Sequence, residues 1–259
     1  MPLANLRSIA PPRASLRELN LNMLLHGPVL ALPCQEGAGV TLTDISGFGN
    51  NGTFGAGAAA PSWVWNGYIW VLSYDGGTDV VNCGSGDSLD NLTALTYRAW
   101  VNPTDYDSDD RIFDKTPKVF RIVSTGELLC DFSAAIQSAN SISIEKLAKG
   151  VPSLVEATYD DNGDKKIRMY INNTEVTYST QDAAIGALTA DAASNLLIGN
   201  RAAGDRGWDG YQVLYEIIPR VLSATERLNI FNREKHYLDI WNGNILARLA
   251  NLRTLAVVR

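Results

Sequence analysis

The sequence predicts an all-β chain: a two-sheet antiparallel jelly roll over residues 29–222, a short helix after the last strand, and an arm at each end. Three observations predict it. Short apolar or alternating runs recur between clusters of Gly, Asn and Asp, the mark of strands joined by turns. The 22 glycines are scattered through the 259 residues, which favours frequent turns over a helical bundle. No helical period of useful length appears before residue 222. With 46% hydrophobic and 19% charged residues, the chain has the balance needed to bury a full-sized core.

The elements follow in order. Residues 1–28 read as an N-terminal arm, because Pro2, Pro11 and Pro12 prevent a long helix there. Leu16, Leu19, Leu21, Leu24 and Leu25 give the arm apolar surface that needs cover on the domain or on another subunit. Residues 63–72 hold two short segments around Asn66-Gly67, a hairpin signal. Residues 95–101, 119–123, 128–132, 154–159, 166–171 and 196–198 read as further strands. Asp161-Asn162-Gly163-Asp164 turns the chain between two of them. Ser223-Ala224-Thr225-Glu226 is a capping box opening a helix within residues 223–241. Leu228, Phe231, Tyr237 and Leu238 are its expected apolar face. Residues 242–259 form a C-terminal arm ending in the β-prone run Thr254-Leu255-Ala256-Val257-Val258.

Charge and cysteines narrow the function. Residues 1–30 carry +2 and residues 242–259 carry +3 of a chain whose net charge is −6, so the body between them carries −11. An acidic body with basic arms disfavours nucleic acid as a partner and suits arms that lie on an acidic neighbour. Three cysteines make no disulfide framework. Cys34 and Cys83 either pair or, with Cys130, stay as buried free thiols. No stretch is long and apolar enough to span a membrane as a helix, and Pro11, Pro12, Arg13 and Arg17 interrupt any signal peptide.

Several motifs then occur in one order. Leu32-Pro33-Cys34-Gln35-Glu36-Gly37-Ala38-Gly39 is followed by Asp44-Ile45-Ser46-Gly47-Phe48-Gly49-Asn50-Asn51-Gly52-Thr53. Next come Leu72-Ser73-Tyr74-Asp75-Gly76-Gly77-Thr78-Asp79-Val80-Val81 and Leu95-Thr96-Tyr97-Arg98-Ala99-Trp100-Val101-Asn102-Pro103. Ala157-Thr158-Tyr159-Asp160 with Met169-Tyr170-Ile171-Asn172 gives a central hairpin. Leu196-Leu197-Ile198-Gly199, Trp208-Asp209-Gly210-Tyr211 and Arg220-Val221-Leu222-Ser223 close the series. Together, over residues 30–230, they resemble the laminin G-like branch of the concanavalin A-like lectin/glucanase family. The resemblance implies a concanavalin A-like two-sheet jelly roll. It also implies a calcium site, for which Glu36, Asp44 and Asn50 hold the matching positions. One departure counts against calcium: after Gly210-Tyr211, where the family places an Asp-Glu pair, this chain has Gln212-Val213-Leu214.

Enzymatic chemistry finds little footing. Glucanases of this fold carry paired carboxylates on one strand, and no Glu-x-Asp-x-x-Glu string is present. Asp105, Asp107, Asp109 and Asp110 read as an exposed loop. His26 and His236 have no Ser or Cys partner in a nucleophile elbow, and the glycines of residues 47–57 precede no helix that would cradle phosphate. For a sugar, exposed aromatic faces are the expected platform, and Trp63, Trp65, Tyr106 and Trp208 are the candidates. Trp63 and Trp65 alternatively cover a sheet edge or a subunit contact, and Trp100 reads as core.

The sequence therefore points to a non-enzymatic structural or binding protein. The first reading is a phage virion component, a capsid decoration or tail-associated protein. It docks on other virion proteins or like subunits through residues 1–28 and 242–259, as a homo-oligomer. The alternatives are a carbohydrate-binding, lectin-like module located outside the cell or at its surface, and a glycoside hydrolase.

Overall fold

The computed structural model describes residues 20–66, 69–107 and 109–238, with side chains described to residue 235. The expectations for residues 1–19 and 239–259, and for the side chains of Tyr237 and Leu238, lie outside the described residues. Strands β1 (Leu30–Leu32), β2 (Thr41–Leu42), β3 (Gly52–Phe54), β4 (Ser62–Trp65), β5 (Trp70–Asp75) and β6 (Val81–Asn82) open the chain. The middle holds β7 (Ala94–Pro103), β8 (Asp110–Lys115), β9 (Lys118–Ile122), β10 (Glu127–Phe132), β11 (Ala139–Lys146) and β12 (Ser153–Asp160). Then follow β13 (Arg168–Ile171), β14 (Thr174–Glu175), β15 (Tyr178–Asp182), β16 (Leu197–Ile198), β17 (Asp209–Ile218) and helix α1 (Ala224–Leu238).

These strands form two antiparallel sheets. The back sheet runs β14-β13-β12-β7-β17-β5-β4, with β1 pairing β17 beyond the point where β5 leaves it. A bulge between Val213 and Glu216, with Leu214 at φ 56°, separates the two halves of β17. The front sheet runs β15-β11-β10-β9-β8-β16-β6-β3-β2. The expected hairpin is present, with Trp65 opposite Trp70.

Alternation along each strand decides the layers. Tyr97, Ala99 and Val101 of β7 point between the sheets, where Tyr97 stacks on Phe113 of the front sheet at 4.9 Å. Phe132, Tyr159 and Tyr215 extend this aromatic cluster, and the Tyr74 and Tyr215 hydroxyls meet at 3.0 Å. Cys34, Cys83 and Cys130 are buried free thiols. Asp110 departs from expectation: it is fully buried at the start of β8, not part of an exposed loop.

The alternate residues Thr96, Arg98 and Trp100 of β7 point to the back, under α1. The helix begins as its capping box dictates: the Glu226 amide donates to Ser223 Oγ at 3.3 Å and the Ser223 amide donates to Glu226 at 2.8 Å. Its contact with the sheet corrects the expected apolar stripe. Leu228 is 45% exposed, while Arg227, Ile230, Phe231 and Glu234 face the sheet. Phe231 stacks on Trp100, and Trp100 donates through Nε1 to Glu234 at 2.7 Å. Arg98 lies at the centre, bonded to Glu156 at 2.8 Å, to Glu216, and to Glu234 at 3.0 Å. All four side chains are no more than 1% exposed. Arg227 lies 3.9 Å over the Tyr170 ring. The helix is thus held by buried ion pairs as well as by apolar area. A short helical turn at residues 20–24 packs alongside, with Met23 buried, Asn22 accepting from Arg233 at 3.1 Å and His26 beside Glu226 at 3.5 Å.

This network carries a pH dependence. Burial pushes the Glu216 carboxyl up to about 8, with Arg98 opposing and Glu234 and Glu156 adding to the rise. A carboxyl raised in the folded state binds more protons there than in the unfolded chain between its ordinary value of 4.5 and its folded value. Its contribution is therefore lost as pH rises through that window. Urea midpoints are expected to fall between about pH 4.5 and about pH 8, and to fall less in Glu216→Gln. Equal slopes in the two proteins would refute this.

Candidate ligand-binding face

Of the residues expected to hold calcium, Asp44 and Asn50 meet in one loop, but as a hydrogen-bonded anchor. Asp44 Oδ1 accepts from the amides of Ala31 at 2.9 Å and Ser46 at 3.0 Å. Asp44 Oδ2 accepts from Ser46 Oγ at 2.7 Å and the Asn50 amide at 2.9 Å. Asn50 donates to the Val29 carbonyl at 2.7 Å and to Ser88 Oγ at 2.8 Å. Glu36 stands apart, accepting from the Thr43 amide at 2.8 Å. Four donated hydrogens already surround the Asp44 carboxylate, where a cation would need its lone pairs. Among the described residues no group of three or more His, Cys, Asp or Glu is placed to hold a metal.

The four aromatic candidates fall in different places. Trp63 and Trp65 lie on the inner face of edge strand β4. Trp63 donates to the Gly39 carbonyl at 2.9 Å and its ring meets Phe54 at 5.7 Å. Trp65 is 43% exposed and tilted against Trp70 at 5.3 Å. Gly37, at φ 71°, fits against Trp70 because a Cβ there would lie 2.4 Å from the ring. Tyr106 packs on Gly126 under Lys149, whose Nζ is 4.5 Å from the ring centroid. Trp208 is fully buried in the core and presents no face to a sugar. The ring contacts join Trp63 to Phe54 and Trp65 to Trp70, and join neither to Tyr106.

A different set of residues is assembled by the front sheet. Its register places one residue from each strand in a single row: Thr41, Thr53, Asn82, Leu197, Asp114, Val119, Asp131, Asn140 and Asp182. Their neighbours along the strands (Leu42, Phe54, Val81, Ile198, Phe113, Phe120, Cys130 and Ala139) belong to the core, so the row faces outward. Leu197, Val119 and Leu129 are buried yet stand outside the core cluster. They floor this outward face beneath longer polar side chains. Arg111 and Arg121, opposite one another on β8 and β9, reach to Asp114 at 2.8 Å and Asp131 at 3.4 Å.

At one end of the row the surface deepens into a cavity of about 1030 Å³, at the upper end of the range for ligand pockets. Thr53, Asn82, Asp114 and Leu197 of the row line it, with Thr116, Asn195 and Arg201 among the loops around them. Two buried lysines fix the rim. Lys115 bonds Asp90 at 2.7 Å and the Ser194 carbonyl at 2.6 Å, and Lys118 bonds Asp191 at 2.6 Å. The two charged side chains facing the cavity are already engaged. Asp114 accepts from Arg111, from the Thr116 amide at 3.1 Å and from Thr116 Oγ1 at 2.6 Å, and Arg201 is paired twice with Asp205. What remains for a ligand is a set of neutral amide and hydroxyl groups, able both to donate and to accept.

A family model described as the concanavalin A-like lectin/glucanases superfamily matches residues 75–226. Among curated proteins, none matches the chain by sequence. The binding domain of Paraclostridial Mosquitocidal Protein 1 superposes with a TM-score of 0.62 at 12% identity, over 83% of this chain and 52% of that one. The receptor binding domain of botulinum neurotoxin type G gives 0.57 at 14% identity, over 80% and 51%. Domain 4 of AbnA, a GH43 extracellular arabinanase from Geobacillus stearothermophilus solved with arabinotriose, gives 0.54 at 16% identity, over 73% and 91%. This chain spans about half the length of the two toxin domains.

Proposed function

The chain belongs to the concanavalin A-like lectin/glucanases superfamily, and from that premise we propose that it is a non-catalytic carbohydrate-binding domain whose ligand seats in the cavity on the front sheet. The observation that carries this is the neutral, hydroxyl- and amide-rich lining of a cavity large enough for an oligosaccharide. Sugar hydroxyls donate and accept at once, which suits Thr53, Asn82, Thr116 and Asn195 better than it suits an ionic ligand. The commitment of Asp114 to Arg111 and Thr116 leaves no carboxylate in the cavity poised to donate a proton. The arabinotriose bound by the AbnA domain and the binding role of the toxin domains support the same reading. It takes the place of the virion role, which draws no support from these neighbours. A location outside the cell or at its surface goes with it.

Isothermal titration of the full chain against a panel of neutral oligosaccharides, arabinotriose included, tests this. We expect saturable binding that weakens roughly tenfold in Asn82→Ala, the scale of a lost ligand hydrogen bond or two. Trp65→Ala is expected to leave it unchanged. Binding that follows Trp65 and ignores Asn82 would move the site to the edge of the back sheet. Release of reducing ends from the bound sugar would overturn the non-catalytic reading.

A further inference from the structure

The back of the domain carries a strip of leucines that the described residues leave uncovered. Leu21, Leu24 and Leu25 stand three and four residues apart, so they share one face of the helical turn that begins at Asn20. They are 52%, 38% and 59% exposed, while Met23 beside them is fully buried. The turn runs antiparallel to α1, because Asn22 meets Arg233 and His26 meets Glu226. Leu228, exposed on α1 two residues past Glu226, flanks the same strip. Neighbouring large apolar side chains in contact with water mark a contact surface.

The course of the chain beyond α1 indicates what covers it. The helix ends at Leu238, five residues past the Arg233 that touches the turn. Residues 239–259 lie outside the described residues, and their sequence predicts a second helix. Ile245, Leu246, Leu249 and Leu252 fall at i, i+1, i+4 and i+7, an apolar stripe with Ala247, Ala250 and Asn251 on the other side. Asn242-Gly243 breaks the run from α1. The six residues 239–244 suit a connection between two antiparallel helices. Eight residues of helix span roughly 12 Å at ~1.5 Å per residue, the same length as α1 from Leu228 to Lys235. A helix turned back from the end of α1 therefore runs past the leucines of the strip. From this match of position, length and apolar spacing, we propose that residues 245–252 form a helix that docks on Leu21, Leu24, Leu25 and Leu228 of the same chain. The domain is then closed behind by a helical hairpin, on the face away from the cavity.

Hydrogen–deuterium exchange of the full chain, read by mass spectrometry, tests the docking. The amides of residues 245–252 are expected to exchange at least tenfold more slowly than an unstructured peptide of that sequence. Leu25→Asp is expected to remove that protection and to leave β7 as protected as before, which shows that the fold is intact. Leu228→Asp, on a different element, is expected to do the same. Exchange of residues 245–252 at the unstructured rate in the unmodified chain overturns the proposal. So does protection that survives Leu25→Asp and Leu228→Asp combined. Sedimentation velocity distinguishes the rival occupant. The unmodified chain is expected to sediment as a monomer, and a dimer that dissociates in Leu25→Asp would give the strip to a second copy and overturn the docking within one chain.

Discussion

Replacing Arg98 with methionine is expected to destabilise the fold by roughly 3–5 kcal/mol, the cost of breaking a buried ion network by removing one partner. Arg98 bonds Glu156, Glu216 and Glu234, and the side chains of all three are no more than 1% exposed. Without the guanidinium, three carboxyl groups remain in a space that water does not reach. They must take up protons or drag the helix off the sheet. Urea unfolding followed by tryptophan fluorescence reads this directly, because Trp100 donates to Glu234 and stacks on Phe231 at that contact. The informative control removes the whole network, with Arg98→Met, Glu156→Leu, Glu216→Leu and Glu234→Leu combined. An apolar replacement of similar volume is expected to recover most of the lost stability. A single Arg98→Met change costing under about 1 kcal/mol would show that the network is well hydrated.

The second large effect is at Asp44. Asp44→Ala is expected to cost roughly 3 kcal/mol, since the Ala31, Ser46 and Asn50 amides lose their acceptor in a buried loop. Asp44→Asn keeps one acceptor oxygen and is expected to lose less. Thermal unfolding in calcium and after EDTA treatment separates the anchor from a metal site. If Asp44 works through hydrogen bonds alone, the melting temperature of the unmodified protein is the same in both. A rise of several degrees in calcium, absent in Asp44→Ala, would restore the metal.

These two positions also show how far the sequence could be read. Asp44 sits in a motif whose spacing announced a loop, and the loop is there. Its role could not be read, because a carboxylate that accepts four hydrogen bonds and one that holds calcium obey the same spacing. Arg98 and Glu156 stood in runs that read as strands. Their mutual contact depends on the pairing of β7 with β12, and sequence alone does not give that register. The front-sheet row is the extreme case, since its nine residues come from nine strands scattered over residues 41–197. A partial signal existed in Phe120-Arg121-Ile122 and Cys130-Asp131-Phe132, where one polar residue between two core residues marks the outward face. Aromatic residues drew attention to β4 and to Trp208 instead, and Trp208 proved to be core because the turn before β17 folds it inward. The fold was legible because turns and alternation are local. The site was not, because it exists only after the strands are in register.

The helical turn at residues 20–24 and helix α1 lie side by side on the back sheet, joined by Asn22 to Arg233, while the cavity opens on the front sheet. A tether attached at residue 20 or at residue 238 would therefore pull from behind the domain. A copy immobilised through either of those positions should keep its full ligand capacity on a sensor chip. So should a copy carried on a larger scaffold, where several such domains would all present their grooves to the same side and could grip one long polymer together.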